Sequence, residues 1–323
     1  MAAPPPVMTG ATPLVRDITV TPAMCGYNSL FVGQVGDWTW QTVSELCGTD
    51  AFTARDETGA PTYLAFYYYH LRGSAEMHLR RFTFGDRLRV LSAAYGYGSE
   101  SVLTLHRIAM ADTPAARARE LDPVEFYERP RADCLYVETF NRWVTRSVAR
   151  SNRDLVRSTP VDFRHEHLPT LPERYSPRAV YHRARTARTF DEDFGGASGG
   201  GEVGGGAGGG ELVVDGHRST YRVDPTRDLN GVGLVYFAAY FSIVDAAVWR
   251  LWQFLGRGED DYLAMRITDE RLCYLGNADA GTTLGLTSRL RRRPSGAEVV
   301  DVVVEEHGTG RLIAVATLQV GAA

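Results

Sequence analysis

Apolar positions run almost without a break from residue 234 to residue 255, LVYFAAYFSIVDAAVWRLWQFL, and stop at Gly256. A helix that is apolar nearly all the way round is sheathed by other elements rather than laid on a surface, so the spacing predicts a core helix. Asp245, Arg250 and Gln253 interrupt the run. A charge in mid-bilayer costs roughly 2.5–3.5 kcal/mol on insertion scales, which argues against a membrane span. Polar, turn-like stretches flank the segment at residues 224–231 and 256–258, and beyond them lie short β-branched runs that read as strands. The pattern is a helix wrapped by a sheet.

The same order is found earlier in the chain. Residues 14–20 read as a strand, residues 24–36 as a glycine-containing loop, and residues 38–47 as a helix with Asp37 as its cap and Gly48 as its stop. Strands are expected at 62–71, 86–94, 101–109 and 134–146. In the second half the series is strand 212–223, loop 226–233, the core helix, then strands at 262–274, 283–293, 299–305 and 311–320. Residue identity between the halves is slight, so the duplication rests on element order. The expectation is an α+β chain of two tandem domains, 13–150 and 212–323, after a disordered Pro/Ala-rich start at 1–12. Residues 151–211, Arg/Pro-rich and ending in GGASGGGEVGGGAGGG at 195–210, read as a linker. So dense a glycine run cannot offset the entropy of ordering.

Composition removes several chemistries. All 35 basic residues are Arg, which excludes a Schiff-base lysine, a P-loop lysine and a kinase-type strand lysine. The net charge of −4 argues against a general nucleic-acid binder. Four cysteines stand without a CxxC pair, and the two neighbouring histidines, His165 and His167, have no third ligand near them in sequence. No metal site is expected. The first residues lack the basic and apolar blocks of a secretory signal, so a cytoplasmic protein is expected.

Three stretches carry candidate chemistry. The loop reading of residues 26–36 would lead into a helix N-terminus, where unpaired N–H groups favour developing negative charge. Gly33, Val35 and Gly36 would let a substrate oxygen approach, with Asn28, Ser29 and Gln34 as side-chain helpers, although a plain connecting turn explains the same glycines. Tyrosines cluster at Tyr63, Tyr67, Tyr68 and Tyr69; strict strand alternation puts Tyr63, Tyr67 and Tyr69 on one face and Tyr68 on the other. Each is a packing residue or an acyl acceptor. The run Arg289, Arg291, Arg292, Arg293 either grips a phosphate or an acidic carrier or is a solvated strand end.

The motifs DLNGVGLVYFAAYFSIVDAAVWRLW and CYLGNADAGTTLGLTSRL resemble a hot-dog domain of the acyl-thioesterase type. With MCGYNSLFVGQVGDWTW, PTYLAFYYYHLRG, FTFGDRL and GYGSESVLTLHR, the chain over about residues 14–320, the glycine run excepted, resembles the LnmK family of bifunctional acyltransferase/decarboxylases from leinamycin-type polyketide pathways. That resemblance implies a double hot-dog fold. It further implies self-acylation of a tyrosine by methylmalonyl-CoA, transfer to the phosphopantetheine thiol of an acyl carrier protein, and decarboxylation to the propionyl thioester. The tyrosine is Tyr63 in PTYL, with Tyr67 to Tyr69 as alternatives.

Loss of CO₂ leaves an enolate, which needs fixed donors and poor solvation but no cofactor, metal or lysine. The expected partners are therefore methylmalonyl-CoA and the carrier protein, with Arg289 and Arg291 as substrate contacts and homodimerisation as a further expectation. Two rivals follow from the residues: a thioesterase using Asp37 or Asp245, and a non-catalytic carrier-binding module using the arginine run.

Overall fold

Two amphipathic problems, a helix apolar on most sides and strands apolar on both faces, are solved together by wrapping one round the other. A computed structural model of the protein describes residues 12–25, 28–149, 151–192 and 210–321, without the side chains of Asn28 and Ser29. The first half runs β1 (Leu14–Thr19), α1 (Asn28–Cys47), β2 (Tyr63–Arg72), β3 (Arg87–Gly96), β4 (Ser101–Met110), α2 (Pro114–Arg117), α3 (Pro123–Tyr127), β5 (Cys134–Arg146), β6 (Leu155–Arg157) and α4 (Pro177–Ala187). The second runs β7 (Glu211–Arg222), α5 (Ala239–Phe254), α6 (Glu259–Ala264), β8 (Arg266–Tyr274), β9 (Thr283–Arg292), β10 (Glu298–Glu306) and β11 (Leu312–Gly321).

All the strands join one antiparallel sheet of order β1-β3-β4-β5-β2-β8-β11-β10-β9-β7, with β6 beside β5. Read outward from the middle, 2-5-4-3-1 mirrors 8-11-10-9-7, which is the signature of a duplicated unit and the double hot-dog arrangement expected. The halves meet where β2 pairs with β8, from Tyr68↔Cys273 to Arg72↔Asp269. Helices α1 and α5 pack side by side on one face. Phe31, Val32, Val35 and Trp38 share a buried cluster with Phe241, Val244, Val248 and Leu251, each large side chain contributing roughly 1.5–3 kcal/mol of burial.

Three expectations are corrected. Residues 28–36 are the first turns of α1, not a loop. Gly33 and Gly36, read as turn glycines, sit where α1 meets the second half: a Cβ on Gly36 would lie 2.0 Å from the Phe237 ring. A glycine in mid-helix costs about 1 kcal/mol of propensity, and here it permits the close approach. Conversely α5 starts at Ala239 rather than 234, because residues 228–236 fold into their own turn. There Tyr236 N–H donates to Asp228 O, and Asn230 Oδ1 accepts from the N–H groups of Val232 and Leu234.

The third correction concerns the expected linker. Within 151–192, β6 pairs with β5, and α4 is capped by Ser176, whose side chain accepts from Arg178 N–H. The reason lies in the sheet. Strand β4 is buried at nine of ten positions, so the face away from α1 and α5 also needs a cover. Leu171, Tyr175, Ala184 and Phe190 supply it, clustering with Tyr68, Leu105, Phe140, Cys273 and Val315. Residues 193–209, with most of the glycine run, lie outside the described residues, as do residues 1–11.

Candidate active site at the seam of the two halves

The seam pairing ends at Tyr68↔Cys273. Beyond it the strands part, leaving residues 63–67 without a β8 partner, and a cavity of about 350 Å³ opens in the split. Tyr63 to Tyr67 form one wall and residues 274–277 the other; Phe237 reaches it from the helix layer and Tyr181 of α4 from the outer layer. Most of residues 230–237, the lead-in to α5, also line it, with Trp40, Phe52 and Arg153 among others. The site thus exists only because both halves are present.

A bulge decides which tyrosines belong to it. Phe66 pairs with Asn141 and Tyr68 with Phe140, so Tyr67 is the extra residue and the strand's alternation resets there. Phe66 and Tyr69 therefore both join the helix-side core, while Tyr68 joins the outer cluster and Tyr67 packs against it. This corrects the expectation that Tyr69 shares a face with Tyr63 and Tyr67. Tyr69 is fully buried, edge-on to Phe241 at 5.1 Å, and burial holds its phenol well above the usual range. Tyr68 is likewise buried and raised. Tyr63 and Tyr67 are the partly exposed pair that line the cavity.

Each carries an arginine over its ring: Arg146 lies 5.9 Å from the Tyr63 centroid and Arg142 4.9 Å from that of Tyr67. Arg146 also donates to Asn152 Oδ1 at 3.1 Å and to Val232 O at 2.6 Å, so it ties β5 to the second half's lead-in. Phe66 stacks on Phe237 at 3.9 Å across the floor. Tyr236 reaches α1 through its hydroxyl, 3.4 Å from Gly33 O, and burial with the Asp37 charge pushes its phenol up. Of the N–H groups entering α5, those of Leu234, Val235, Tyr236, Ala239, Tyr240 and Phe241 have internal acceptors. Among the described residues, none is found for Phe237 and Ala238, at the positive end of the helix dipole.

The other expected site residues lie elsewhere. Asn28 and Ser29 open α1, and Gln34 is half-buried within it. Gly33, Val35 and Gly36 are buried, and the N–H groups from Val32 onward are those a helix uses internally. The oxyanion reading therefore does not hold for Gly33, Val35 and Gly36, whose N–H groups lie inside the helix; the side chains of Asn28 and Ser29 lie outside the described ones. Arg289 pairs with Asp215 at 2.8 Å, and Arg291, 3% exposed, pairs with Asp301 at 2.5 Å and Asp191 at 3.3 Å. These arginines hold β9 to its neighbours and do not line the cavity. His167 bonds Leu46 O at 2.9 Å. Among the described residues no group of three or more His, Cys, Asp or Glu is placed to hold a metal, and no helix is long and apolar enough to cross a membrane.

What sequence reasoning missed is the α5 lead-in and Tyr181. The lead-in was hidden inside an apolar run read as helix, and its only signal is the Asp228-Leu229-Asn230-Gly231 turn. A second cavity, of about 570 Å³, lies at the other end of the helix pair, lined by Leu30, Ser242, Asp245, Trp249, Tyr262 and Leu263 among others. Burial raises the Asp245 carboxyl to about 7, with Arg80 opposing, and the neighbouring Glu270 is raised by burial and by the Asp245 charge.

Solved structures with this architecture span nearly the whole chain. An oleoyl thioesterase (putative) from Lactobacillus plantarum superposes with TM-score 0.58 at 11% identity, covering 97% of each chain. An acyl-ACP thioesterase from Bacteroides thetaiotaomicron does so with TM-score 0.52 at 9% identity, covering 96% of this chain and 98% of that one. At such identities the likeness is one of fold. Among curated proteins, none matches the sequence. Residues 15–192 match the model of the LnmK N-terminal hot dog fold domain, a span that takes in Tyr63, the bulge and α4. The chain is a double hot-dog protein and belongs to the LnmK family.

Proposed function

We propose that the protein is an acyltransferase/decarboxylase that accepts a methylmalonyl group from CoA on Tyr63 and delivers it, as a propionyl thioester, to an acyl carrier protein. The observation that carries this is the seam cavity: a partly exposed tyrosine pair on one wall, and on the lining lead-in Phe237, for whose N–H no acceptor is found among the described residues. In the first step the Tyr63 oxygen attacks the thioester carbonyl, the C–S bond breaks, and the phenolic proton ends on the CoA thiolate. The pantetheine thiol of the carrier then attacks the aryl ester and returns the proton to Tyr63. Loss of CO₂ from the malonyl carbon leaves an enolate, which takes a proton at that carbon.

The lead-in N–H group of Phe237, which lines the cavity, is the donor we assign to the thioester oxygen while it is negative, a contribution of about 10²–10³ in rate. The apolar walls Phe66, Phe237 and Trp40 keep the departing carboxylate poorly hydrated. Intact-mass measurement after mixing with methylmalonyl-CoA tests the reading: an acyl adduct on the peptide bearing Tyr63, absent from Tyr63→Phe, is expected. Full propionyl-carrier production by Tyr63→Phe would remove the tyrosine from the mechanism.

A hydrolytic reading draws on one different observation, the Asp245 carboxyl raised to about 7 in the second cavity. A group near neutrality there could activate water against a thioester. Release of free CoA without carrier protein, lost in Asp245→Asn and kept in Tyr63→Phe, would favour it.

A further inference from the structure

Helix α4 presents two unlike faces. Pro177 and Ala184 are buried, and the helix packs on β2 and β11. Arg178, His182 and Arg185, at spacings of four and three, are all exposed on the opposite face. Tyr181 stands between the faces, lines the seam cavity and lies 5.9 Å from the Tyr67 ring. Burial raises its phenol and the Arg185 charge opposes that rise, so the cationic stripe reaches the cavity mouth. Arg142, over Tyr67, adds a cation on the same rim.

What sets this stripe apart is its place, on the helix whose Tyr181 lines the cavity mouth. Some arginines elsewhere on the chain sit against carboxylates, as in Arg131–Asp133, Arg257–Glu298, Arg289–Asp215 and Arg311–Glu306, while others, such as Arg81, Arg87 and Arg266, are exposed away from any cavity lining. Among the described residues, none of Arg142, Arg178, His182 and Arg185 has a carboxylate within ion-pair distance, although the chain as a whole carries −4. Uncompensated cations beside a cleft focus the field and steer an oppositely charged partner.

We propose that the exposed face of α4 is the docking surface for an acidic helix of the carrier protein whose thiol arm enters the seam cavity. This rests on the acyl-transfer reading for the identity of the partner, and it replaces the Arg289–Arg293 run as the expected carrier grip, since those arginines already hold carboxylates. Docking a carrier at the mouth turns the second transfer into an effectively intramolecular event, with the arm's length setting the effective concentration. Because the contact is exposed and ionic, salt weakens it.

The test compares the wild-type protein with Arg178→Glu/Arg185→Glu, the milder Arg178→Gln/Arg185→Gln, and an Arg289→Glu control, all checked by circular dichroism and thermal melting. Binding of an acidic holo acyl carrier protein is measured by biolayer interferometry at low and high salt, and adduct formation from methylmalonyl-CoA alone by intact mass. The proposal expects carrier affinity to fall at least tenfold in the Glu pair and several-fold in the Gln pair, with its salt dependence flattened. Adduct formation, and the Arg289→Glu control, should be unchanged. Equal carrier affinity in all four folded proteins overturns the docking surface and leaves the chemistry standing. Carrier binding that depends on α4 in a protein that forms no adduct leaves the docking surface standing and removes the acyl-transfer reading.

Discussion

The two cavities along the α1–α5 pair share a few kinds of part and are lined with different chemistry. Each takes a tryptophan from mid-helix, Trp40 in the seam cavity and Trp249 in the other, and each has an arginine over a tyrosine ring nearby, Arg146 over Tyr63 and Arg80 over Tyr262. The seam cavity is lined by phenols, the partly exposed Tyr63 and Tyr67 among them, with Arg153; the other is lined by the carboxyls of Asp245, 6% exposed, and the exposed Glu259, with the buried Tyr262. The hollows differ in the elements that wall them as well as in their side chains. On the reading proposed above, the phenol end holds the acceptor for a transferable group; the carboxyl end holds a group that burial raises to about 7.

Replacing the phenol at the first end gives the largest effect. Tyr63→Phe is expected to abolish the covalent adduct while leaving the melting temperature within about a degree, since a hydroxyl on a partly exposed residue with no hydrogen-bond partner among the described residues contributes little to stability. Asp245→Asn, by contrast, should leave the adduct intact. An adduct that disappears in the Asn variant and persists in the Phe variant would exchange the roles assigned to the two ends.

Next comes the contact that holds the ends in register. Gly36→Val puts methyl groups where the Phe237 ring stands, 2.0 Å from even a bare Cβ. Overpacking of this kind costs about 1–3 kcal/mol, roughly 2–10 °C in melting temperature, and displaces the stacked Phe66–Phe237 floor of the seam cavity. Pairing it with Phe237→Leu should recover part of the stability and none of the original cavity shape. An unchanged melting temperature in Gly36→Val would mean that the helices do not need this approach.

The carboxyl end makes a pH prediction with a definite sign. A folded-state pKa raised from 3.8 to about 7 means that the folded chain keeps a proton which the unfolded chain has lost between those values. Stability from this group is full below about pH 4 and falls as pH rises toward 7, by up to about 1.4 kcal/mol per unit. Asp245→Asn should therefore flatten the profile of melting temperature against pH over that window and be more stable than the parent above it. A slope that survives unchanged would place the proton elsewhere, Glu270 being the first candidate.

Much of this molecule was readable before its structure was known, and the failures have common causes. The order of strands and core helices repeats in the hydrophobic pattern, so the doubled fold and the core residues Val244, Val248 and Leu251 follow from the chain alone. What periodicity could not show was anything fixed by a second segment. Gly33 and Gly36 look like turn glycines until Tyr236 and Phe237 are set against them. The parity of the tyrosine run breaks at Tyr67 because β2 must stay in register with β5 on both sides of a bulge. The polar residues of 151–192 look like linker until the sheet is seen to be buried on its outer face, and Arg291 looks free until Asp301 and Asp191 are brought to it. Tyr63, singled out by motif, does line the seam cavity; its neighbours there on the α5 lead-in carried no such motif.

The smallest effect separates wall from acceptor within the phenol end itself. Tyr67 is held between the Arg142 guanidinium at 4.9 Å and the Tyr181 ring at 5.9 Å, a placement that fixes a surface rather than freeing a nucleophile. An exposed cation–π contact is worth about 0.5–1 kcal/mol, so Arg142→Met should slow adduct formation only about two- to five-fold, through a wall that is held less firmly. Tyr67→Phe keeps the ring, the guanidinium contact and the bulge, and should form the Tyr63 adduct at nearly the wild-type rate. If Tyr67→Phe instead loses the adduct as completely as Tyr63→Phe, the hydroxyl at the bulge takes part in the chemistry, and the acceptor at this end is a pair of phenols rather than one.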